Sequence, residues 1–468
     1  MTARRLVILG ATGDLTGRYL LTALAELVAS RSLPAGLVIV GVDRREWDTT
    51  AFRQHAAARL RRHATHVDAD ARRALVQRLS YIVGDVTDAA TLTEAFGADL
   101  DATVAYLALP PAVFAPAIEA MAGIGLSDRS RIVVEKPFGT DLASAQALNR
   151  LLRRHFPEET VFRMDHFLGK QTVQNILGVR FANRLFEPSW SHHHVAGVDI
   201  VWDETVALEG RAGYYDHAGA LRDVIQNHLL QLLCFVAMEK PAALDAKELR
   251  DRKVELLRAV RTMSPAEVAA HTRRGRYCAG RVGRLEIPDY LQEPGVDPAS
   301  RTETFAEVTL FIDSDRWSGV PFRLRTGKAL TADRREINIT FLPVPEVLFG
   351  QEGEPPVNRL SFLMGPDRMV LDLALNGVGD PFCLEAAALD LTLAPQDLSA
   401  HARLLVEALK GDPSLSIRGD EAEECWRIVE PVLAHWEVDG SPLLDYAAGS
   451  TGPVSATQDE HEGRVPLR

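Results

Sequence analysis

A short apolar run, Leu6-Val-Ile-Leu9, breaks at Gly10-Ala-Thr-Gly13, and Leu20, Leu21, Leu24, Leu27 and Val28 then follow at helical spacing. Strand, glycine turn and helix in that order form the unit from which parallel sheets are wound, because each parallel strand needs a crossover helix to cover it. The cycle recurs: Leu37 to Val42 follows a Pro34-Ala-Gly36 turn, and Tyr81 to Val83, Ala102 to Ala108 and Arg131 to Val134 continue it. The pattern predicts an α/β N-terminal domain over residues 1–165, with a Rossmann-like, dinucleotide-binding parallel sheet. Beyond about residue 170 the rhythm changes. Val195 to Thr205, Thr304 to Asp313, Phe322 to Arg325, Glu336 to Phe341, Leu360 to Leu363 and Met369 to Leu375 read as strands with few helices between those after residue 300. A second domain over 166–450 is therefore expected to be α+β with a large, mainly antiparallel sheet. Two domains also suit a chain of 468 residues, which exceeds what one core usually supports. The polar stretch 451–468 reads as a flexible tail.

Charge narrows the function classes. With 52 Lys+Arg against 64 Asp+Glu the net charge is -12, which argues against a phosphate-backbone footprint and so against nucleic acid as a partner. An anionic substrate then needs a locally basic pocket. The four cysteines, Cys234, Cys278, Cys383 and Cys425, form no Cys-x-x-Cys pair, so neither a zinc knuckle nor a disulfide framework is expected. Leu6 to Leu9 is too short for a membrane span or a signal-peptide core. A cytoplasmic chain with no membrane partner is the resulting expectation.

The turn Gly10, Ala11, Thr12, Gly13, Asp14 and Leu15 supplies glycines where a backbone must bend sharply and let a pyrophosphate approach the next helix N-terminus. A glycine turn without a ligand is the competing reading, and its place at the first strand-to-helix junction weighs against that. The end of the second strand discriminates NAD from NADP, since an acid binds the ribose 2'-hydroxyl and an arginine accommodates a 2'-phosphate. This chain offers both, as Asp43 and Arg44; NADP is the first choice and NAD or dual use the second. Asp85 and Val86 are counted with the cofactor-binding residues.

Two segments concentrate chemistry, Arg163-Met-Asp-His-Phe-Leu-Gly-Lys170 and Asp223-Val-Ile-Gln-Asn-His228. Were a helix to start near Asp165 and run through Lys170, His166 and Lys170 would be i, i+4 neighbours able to hold a phosphate or sulfate dianion. Asp165 could equally be a helix N-cap followed by solvated charges. Leu221, Ile225, Leu232 and Phe235 make one helical face with His228 in its middle, where a satisfied core histidine is the plain reading. Asp223, Gln226, Asn227 and Gln231 crowd polar groups around that otherwise apolar helix, and buried polar groups need partners that a ligand can supply.

Asp165-His-Phe-Leu-Gly-Lys170, Val173-Gln-Asn175, Arg222-Asp-Val-Ile-Gln-Asn-His-Leu-Leu-Gln231, Ala237-Met-Glu-Lys-Pro241 and Gly319-Val-Pro-Phe-Arg-Leu-Arg-Thr-Gly-Lys328 resemble, in sequence and order, the motifs of glucose-6-phosphate dehydrogenases, and the resemblance spans about residues 6 to 453. It implies NAD(P)-dependent oxidation of glucose 6-phosphate at C1 to 6-phosphogluconolactone, without a metal. It makes His228 the general base, Asp165 its orienting carboxylate, His166 and Lys170 the phosphate grip, and Glu204, Asp223 and Lys328 partners of the sugar hydroxyls. It sets Lys136 between cofactor and substrate, with Pro137 as a cis-proline candidate, and it implies a homodimer built on the second domain's sheet.

Two departures concern the phosphate. Phe167 stands where the family has tyrosine, so one hydroxyl donor is missing, and Asp333 stands where a basic residue is common, with Arg334 and Arg335 just after it. One lost charge-assisted hydrogen bond is worth about 1.5 to 3 kcal/mol, which weakens binding without abolishing it. The same chemistry on another anionic or modified hexose is thus the alternative, and a catalytically silent nucleotide- or sugar-binding regulator is a third reading. His192-His-His194 reads as a solvated loop, because no carboxylate lies at ligand spacing.

Overall fold

The structure, a computed structural model, describes residues 2–126, 128–208, 210, 212–345, 356–379, 383–438 and 440–454. Two compact units divide the chain: the first takes residues 1–174, 239–254 and 395–424, the second 175–238, 255–394 and 425–468.

In the first unit β1 (Arg5–Leu9), β2 (Val38–Asp43), β3 (Leu79–Val83), β4 (Thr103–Leu107), β5 (Arg131–Glu135) and β6 (Val161–Met164) form one parallel sheet of order β3-β2-β1-β4-β5-β6. The order reverses between β1 and β4, so the carboxyl ends of those strands open a crevice. The expected N-terminal fold is present. A cut at residue 165 does not describe it, because the unit runs on to Gln174 and recruits two later stretches. One reason is apolar: Leu404, Leu405 and Leu409 of the helix Ala400–Lys410 share a core with Leu6, Ile8, Leu24 and Phe52. Another is polar, since Asn149 Nδ2 donates to Gly419 O (2.8 Å), and Lys253 and Glu421 join the two later stretches in an ion pair of 2.6 Å with both side chains fully buried. A buried pair of that kind is tolerated only when its geometry is good, and breaking it leaves a buried charge.

The second unit holds a nine-stranded mixed sheet. In chain order its strands are β7 (Val195–Asp203), β8 (Thr272–Cys278), β11 (Phe305–Leu310), β12 (Phe322–Gly327), β13 (Arg334–Phe341), β14 (Arg359–Met364), β15 (Asp367–Asn376), β16 (Leu384–Thr392) and β17 (Leu443–Ala447); β9 (Gly280–Val282) and β10 (Leu285–Ile287) form a separate hairpin. The spatial order is β16-β15-β14-β13-β7-β12-β11-β8-β17, antiparallel except for β7 with β12 and β8 with β17. The six anticipated strands are present within a few residues. Sequence reading missed β8, β16 and β17, because Thr-Arg-Arg-Gly-Arg-Tyr-Cys and Leu-Glu-Ala-Ala-Ala-Leu-Asp-Leu-Thr carry weak strand patterns that neighbouring strands override. The start of the expected tail is held in place: Arg325 donates to the carbonyl of Thr451 (2.6 Å) and Arg273 to that of Pro453 (3.1 Å), while residues 455–468 lie outside the described residues.

Candidate active site

The glycine turn after β1 is built from main chain. Gly10 has φ +87, and a Cβ there would stand 2.3 Å from the carbonyl oxygen of Ala108 at the end of β4, so only glycine fits. Thr16 Oγ1 donates to Gly10 O (3.1 Å), and Gly13 N donates to the same carbonyl (3.2 Å). A π-wound turn, Thr16–Leu20, leads into the helix Leu21–Ala29. A cleft of about 360 Å³ opens at the β1/β4 reversal, lined by Gly10, Gly13, Asp43, Arg44, Asp85, Val86 and the run 108–110 among others. Its volume and glycine cradle fit part of a dinucleotide.

Six of the sequence-derived cofactor residues thus line one cleft, and Ala11, Thr12, Asp14, Leu15 and Lys136 lie outside its lining. Ala11 is buried, Leu15 packs on the core, and Asp14 pairs with Arg59 (2.6 Å) and Arg18 (3.4 Å). Thr12 ties the turn to β2: its N–H and hydroxyl both donate to Asp43 Oδ2, at 3.0 and 2.7 Å. Asp43 Oδ1 accepts from Arg44 N (2.8 Å), so both carboxylate oxygens have partners within the turn. Asp85 accepts from the N–H and hydroxyl of Thr87, which hold its carboxyl below the usual range. Sequence reading missed Leu109, Pro110, Ala112, Val113 and Pro116; the available signal was their position directly after β4.

Lys136 follows β5, and the Lys136–Pro137 bond is cis. Beside it Glu135 is buried and accepts the Tyr106 hydroxyl; burial pushes its carboxyl up to about 7, against the pull of Tyr106 and Lys136.

After β6 the segment with Asp165 departs from the expected single helix. His166–Gly169 is one 3-10 turn, Lys170 is extended (φ -75, ψ 132), and a new helix begins at Gln171. His166 and Lys170 are therefore not i, i+4 neighbours on one α-helix. Gly169 lets this turn pack closely, since a Cβ there would stand 2.3 Å from Ala400 O. Asp165 Oδ1 accepts from Phe167 N (2.9 Å), so the carboxylate caps this turn. Lys170 Nζ lies 5.8 Å from the Phe167 ring centroid, a cation–π contact at the position without a hydroxyl.

In the second unit His228 is 3% exposed and belongs to a π-wound stretch, Leu221–Leu229, continued by the helix Leu230–Ala237. The wider winding, invisible in the apolar spacing, shows in the backbone bond from Leu230 N to Ile225 O, five residues back. Such windings occur often at functional sites. Asn227 Oδ1 accepts His228 N (2.6 Å), Gln226, Asn227 and Gln231 are buried, and Tyr214 OH donates to Asp223 Oδ1 (3.3 Å).

β7 and β12 are parallel neighbours, so their carboxyl ends lie side by side; Glu204 and Lys328 follow those ends and pair at 2.7 Å. Lys328 Nζ also lies 5.1 Å from the Tyr215 ring centroid. Asp333 Oδ1 accepts from Thr205 N (2.7 Å) and Thr205 Oγ1 (2.9 Å), which fixes the chain beside Glu204. The two following arginines have carboxylate partners: Arg334 pairs with Glu336 (2.6 Å), while Arg335 pairs with Asp333 (3.6 Å) and covers Trp202. His193 and His194 are exposed, and His192 Nδ1 lies 3.3 Å from Arg316 O.

A parallel sheet with a glycine cradle at its switch point, carried with a mixed-sheet unit that holds a buried histidine and paired polar groups, defines a dehydrogenase dependent on a nicotinamide nucleotide. The family model "Glucose-6-phosphate dehydrogenase, NAD binding domain" matches residues 7–175, and "Glucose-6-phosphate dehydrogenase, C-terminal domain" matches residues 177–463. The chain belongs to the glucose-6-phosphate dehydrogenase family. It is 40% identical to the glucose-6-phosphate 1-dehydrogenase of Treponema pallidum (strain Nichols), over 98% of this chain and 94% of that protein. The crystal structure of glucose-6-phosphate 1-dehydrogenase from Mycobacterium avium is similar with a TM-score of 0.88 at 37% identity, covering 100% of this chain and 98% of the other. A glucose-6-phosphate dehydrogenase solved in complex with its substrate glucose-6-phosphate gives 0.89 at 30% identity, covering 100% and 99%.

Proposed function

We propose that this chain oxidises glucose 6-phosphate at C1 to 6-phosphogluconolactone. The observation that carries the reading is the buried His228 on its polar, π-wound stretch, in a chain similar over its length to glucose-6-phosphate dehydrogenases. The bound nicotinamide nucleotide supplies the hydride acceptor. His228 takes the C1 hydroxyl proton, and Asp165 is the carboxylate that orients it. His166 and Lys170 hold the 6-phosphate; Glu204, Asp223 and Lys328 hold sugar hydroxyls, and Lys136 serves between nucleotide and sugar. The Glu204–Lys328 pair supports this assignment, because each holds the other's charged group where it can meet a hydroxyl.

The nucleotide in this reading is NADP through Arg44, with NAD close behind. Thr12 and Arg44 N–H groups on Asp43 answer part of the charge that would repel a 2'-phosphate. The second reading, another anionic hexose, is favoured by Phe167 and by the commitment of Asp333 to Thr205. A homodimer on the second unit's sheet fits the exposed Leu375, Leu389 and Leu391 of β15 and β16, and a cytoplasmic location fits four free cysteines.

The test is nucleotide reduction with glucose 6-phosphate, run in parallel with NAD and NADP, against free glucose and amino or sulfo sugars. Turnover of the phosphate ester is expected; preference for another hexose moves the assignment to the second reading, and no turnover of any sugar sinks both. Arg44→Ala is expected to lower kcat/KM for NADP by about tenfold or more while leaving that for NAD within about twofold.

A further inference from the structure

Within the first unit three rings form a column. Tyr19 and His401 stack with centroids 4.9 Å apart and an interplanar angle of 16°, and His401 and His166 stack at 5.1 Å and 12°. Tyr19, 46% exposed, comes from the π-wound turn that follows the glycine turn. His401 is the second residue of the helix Ala400–Lys410, capped by Ser399, whose hydroxyl accepts Ala402 N (3.3 Å).

That helix start is fastened to the segment carrying His166 and Lys170. Gly169 packs against the backbone of Ala400, and the Gln396 side chain brackets Lys170: its Nε2 donates to Gly169 O (2.8 Å) and its Oε1 accepts Gln171 N (3.2 Å). Ser399 N donates to Glu26 Oε2 (2.8 Å), which ties the same turn to the helix Leu21–Ala29. Several contacts thus hold His401 against His166.

We propose that His401 is a further substrate-phosphate ligand, a second imidazole added to the grip of His166 and Lys170. The proposal rests on the reading of His166 as part of that grip. Two partly exposed imidazoles in a parallel stack gain little from apolar burial, and each brings a ring N–H donor that suits an anion meeting both. A phosphate dianion is such an anion, and the start of an eleven-residue helix adds N–H groups and a favourable dipole beside it. Phe167 has no hydroxyl to offer, so a second imidazole restores a donor that the grip lacks.

The test compares the wild type with His401→Phe, which keeps a stacked ring and removes the ring nitrogens, and with His401→Ala. Initial rates are measured on glucose 6-phosphate and on free glucose, with calorimetric titration of glucose 6-phosphate alongside. In both variants KM and Kd for the phosphate ester are expected to rise about tenfold, with kcat within about twofold and kcat/KM on free glucose unchanged. A His401→Phe protein with wild-type KM and Kd overturns the proposal, because the column is then packing alone; this variant decides the question even if the alanine protein does not fold. Tight, His401-dependent binding without turnover overturns the functional reading and leaves the grip standing. Absence of binding by the wild type overturns both.

Discussion

In the cleft of the first unit the decisive groups are main chain: a left-handed Gly10, carbonyls and N–H groups around it, and a helix beyond. In the second unit they are, under the proposed function, side chains: His228 and Asp223 on a π-wound stretch, and Glu204 and Lys328 after two parallel neighbours in the middle of a largely antiparallel sheet. The difference follows from the ligands they suit. A pyrophosphate presents the same oxygens in every dinucleotide, so fixed backbone dipoles serve it. Sugar hydroxyls and a proton in transit need groups of individually set chemistry, which side chains provide.

Substitutions can break this contrast. The largest effect is expected from His228→Asn, which keeps size and some hydrogen bonding but cannot take a proton at neutral pH: kcat should fall about 10²- to 10⁴-fold with the unfolding midpoint little changed. Near wild-type turnover would show that the second unit's histidine is structural and that its side chains are not the chemical half of the molecule.

On the main-chain side, Gly10→Ala forces a Cβ to 2.3 Å from Ala108 O at a φ that L-residues rarely adopt. A loss of about 2–3 kcal/mol in urea unfolding is expected, with nucleotide KM raised more than sugar KM. Equal increases in both would show that the turn serves the fold in general and not the cleft.

Lys328→Gln removes the partner of Glu204 and should raise KM for the sugar about 10-fold or more, leaving nucleotide KM near its wild-type value. A nucleotide effect as large as the sugar effect would erase the division of labour.

The effect furthest from turnover concerns stability and pH. Glu135, with an ordinary carboxyl value near 4.5, is pushed up to about 7 by burial, so between those values the folded chain keeps a proton that the unfolded chain has released. The contribution of this group is therefore most favourable below about pH 4.5, declines as pH rises to about 7 and is flat beyond, a span on the order of 3 kcal/mol. Comparing unfolding free energies at pH 5 and pH 8, Glu135→Gln should lose this part of the slope; an unchanged slope would place it on other groups.

Much of the first unit could be read from sequence because its signals are local. Leu6 to Leu9, the glycines and the helical spacing after them each report on a few consecutive residues. The second sheet was half readable: β13, β14 and β15 carry strand patterns of their own, whereas β8 and β16 are strands because neighbours complete their hydrogen bonds. At the candidate site the residue types were legible and their tasks only partly so. Asp14, marked for the nucleotide with the rest of its turn, pairs with Arg59 and Arg18, whereas Asp85 lines the cleft and also accepts from Thr87.

By itself the sequence determined the winding of the first sheet, the glycine cradle at its first turn and the ordered motifs that mark the family, because strand and helix periodicity, the freedom of glycine and motif order are written in neighbouring residues. Only the tertiary structure decided that Lys170 leaves the 3-10 turn, that Asp333 is held by Thr205, that His228 stands in a π-wound stretch and that His401 lies against His166. Each depends on groups far apart in the chain, such as Gly169 against Ala400, whose meeting is set by how layers pack and by which buried polar atoms find partners.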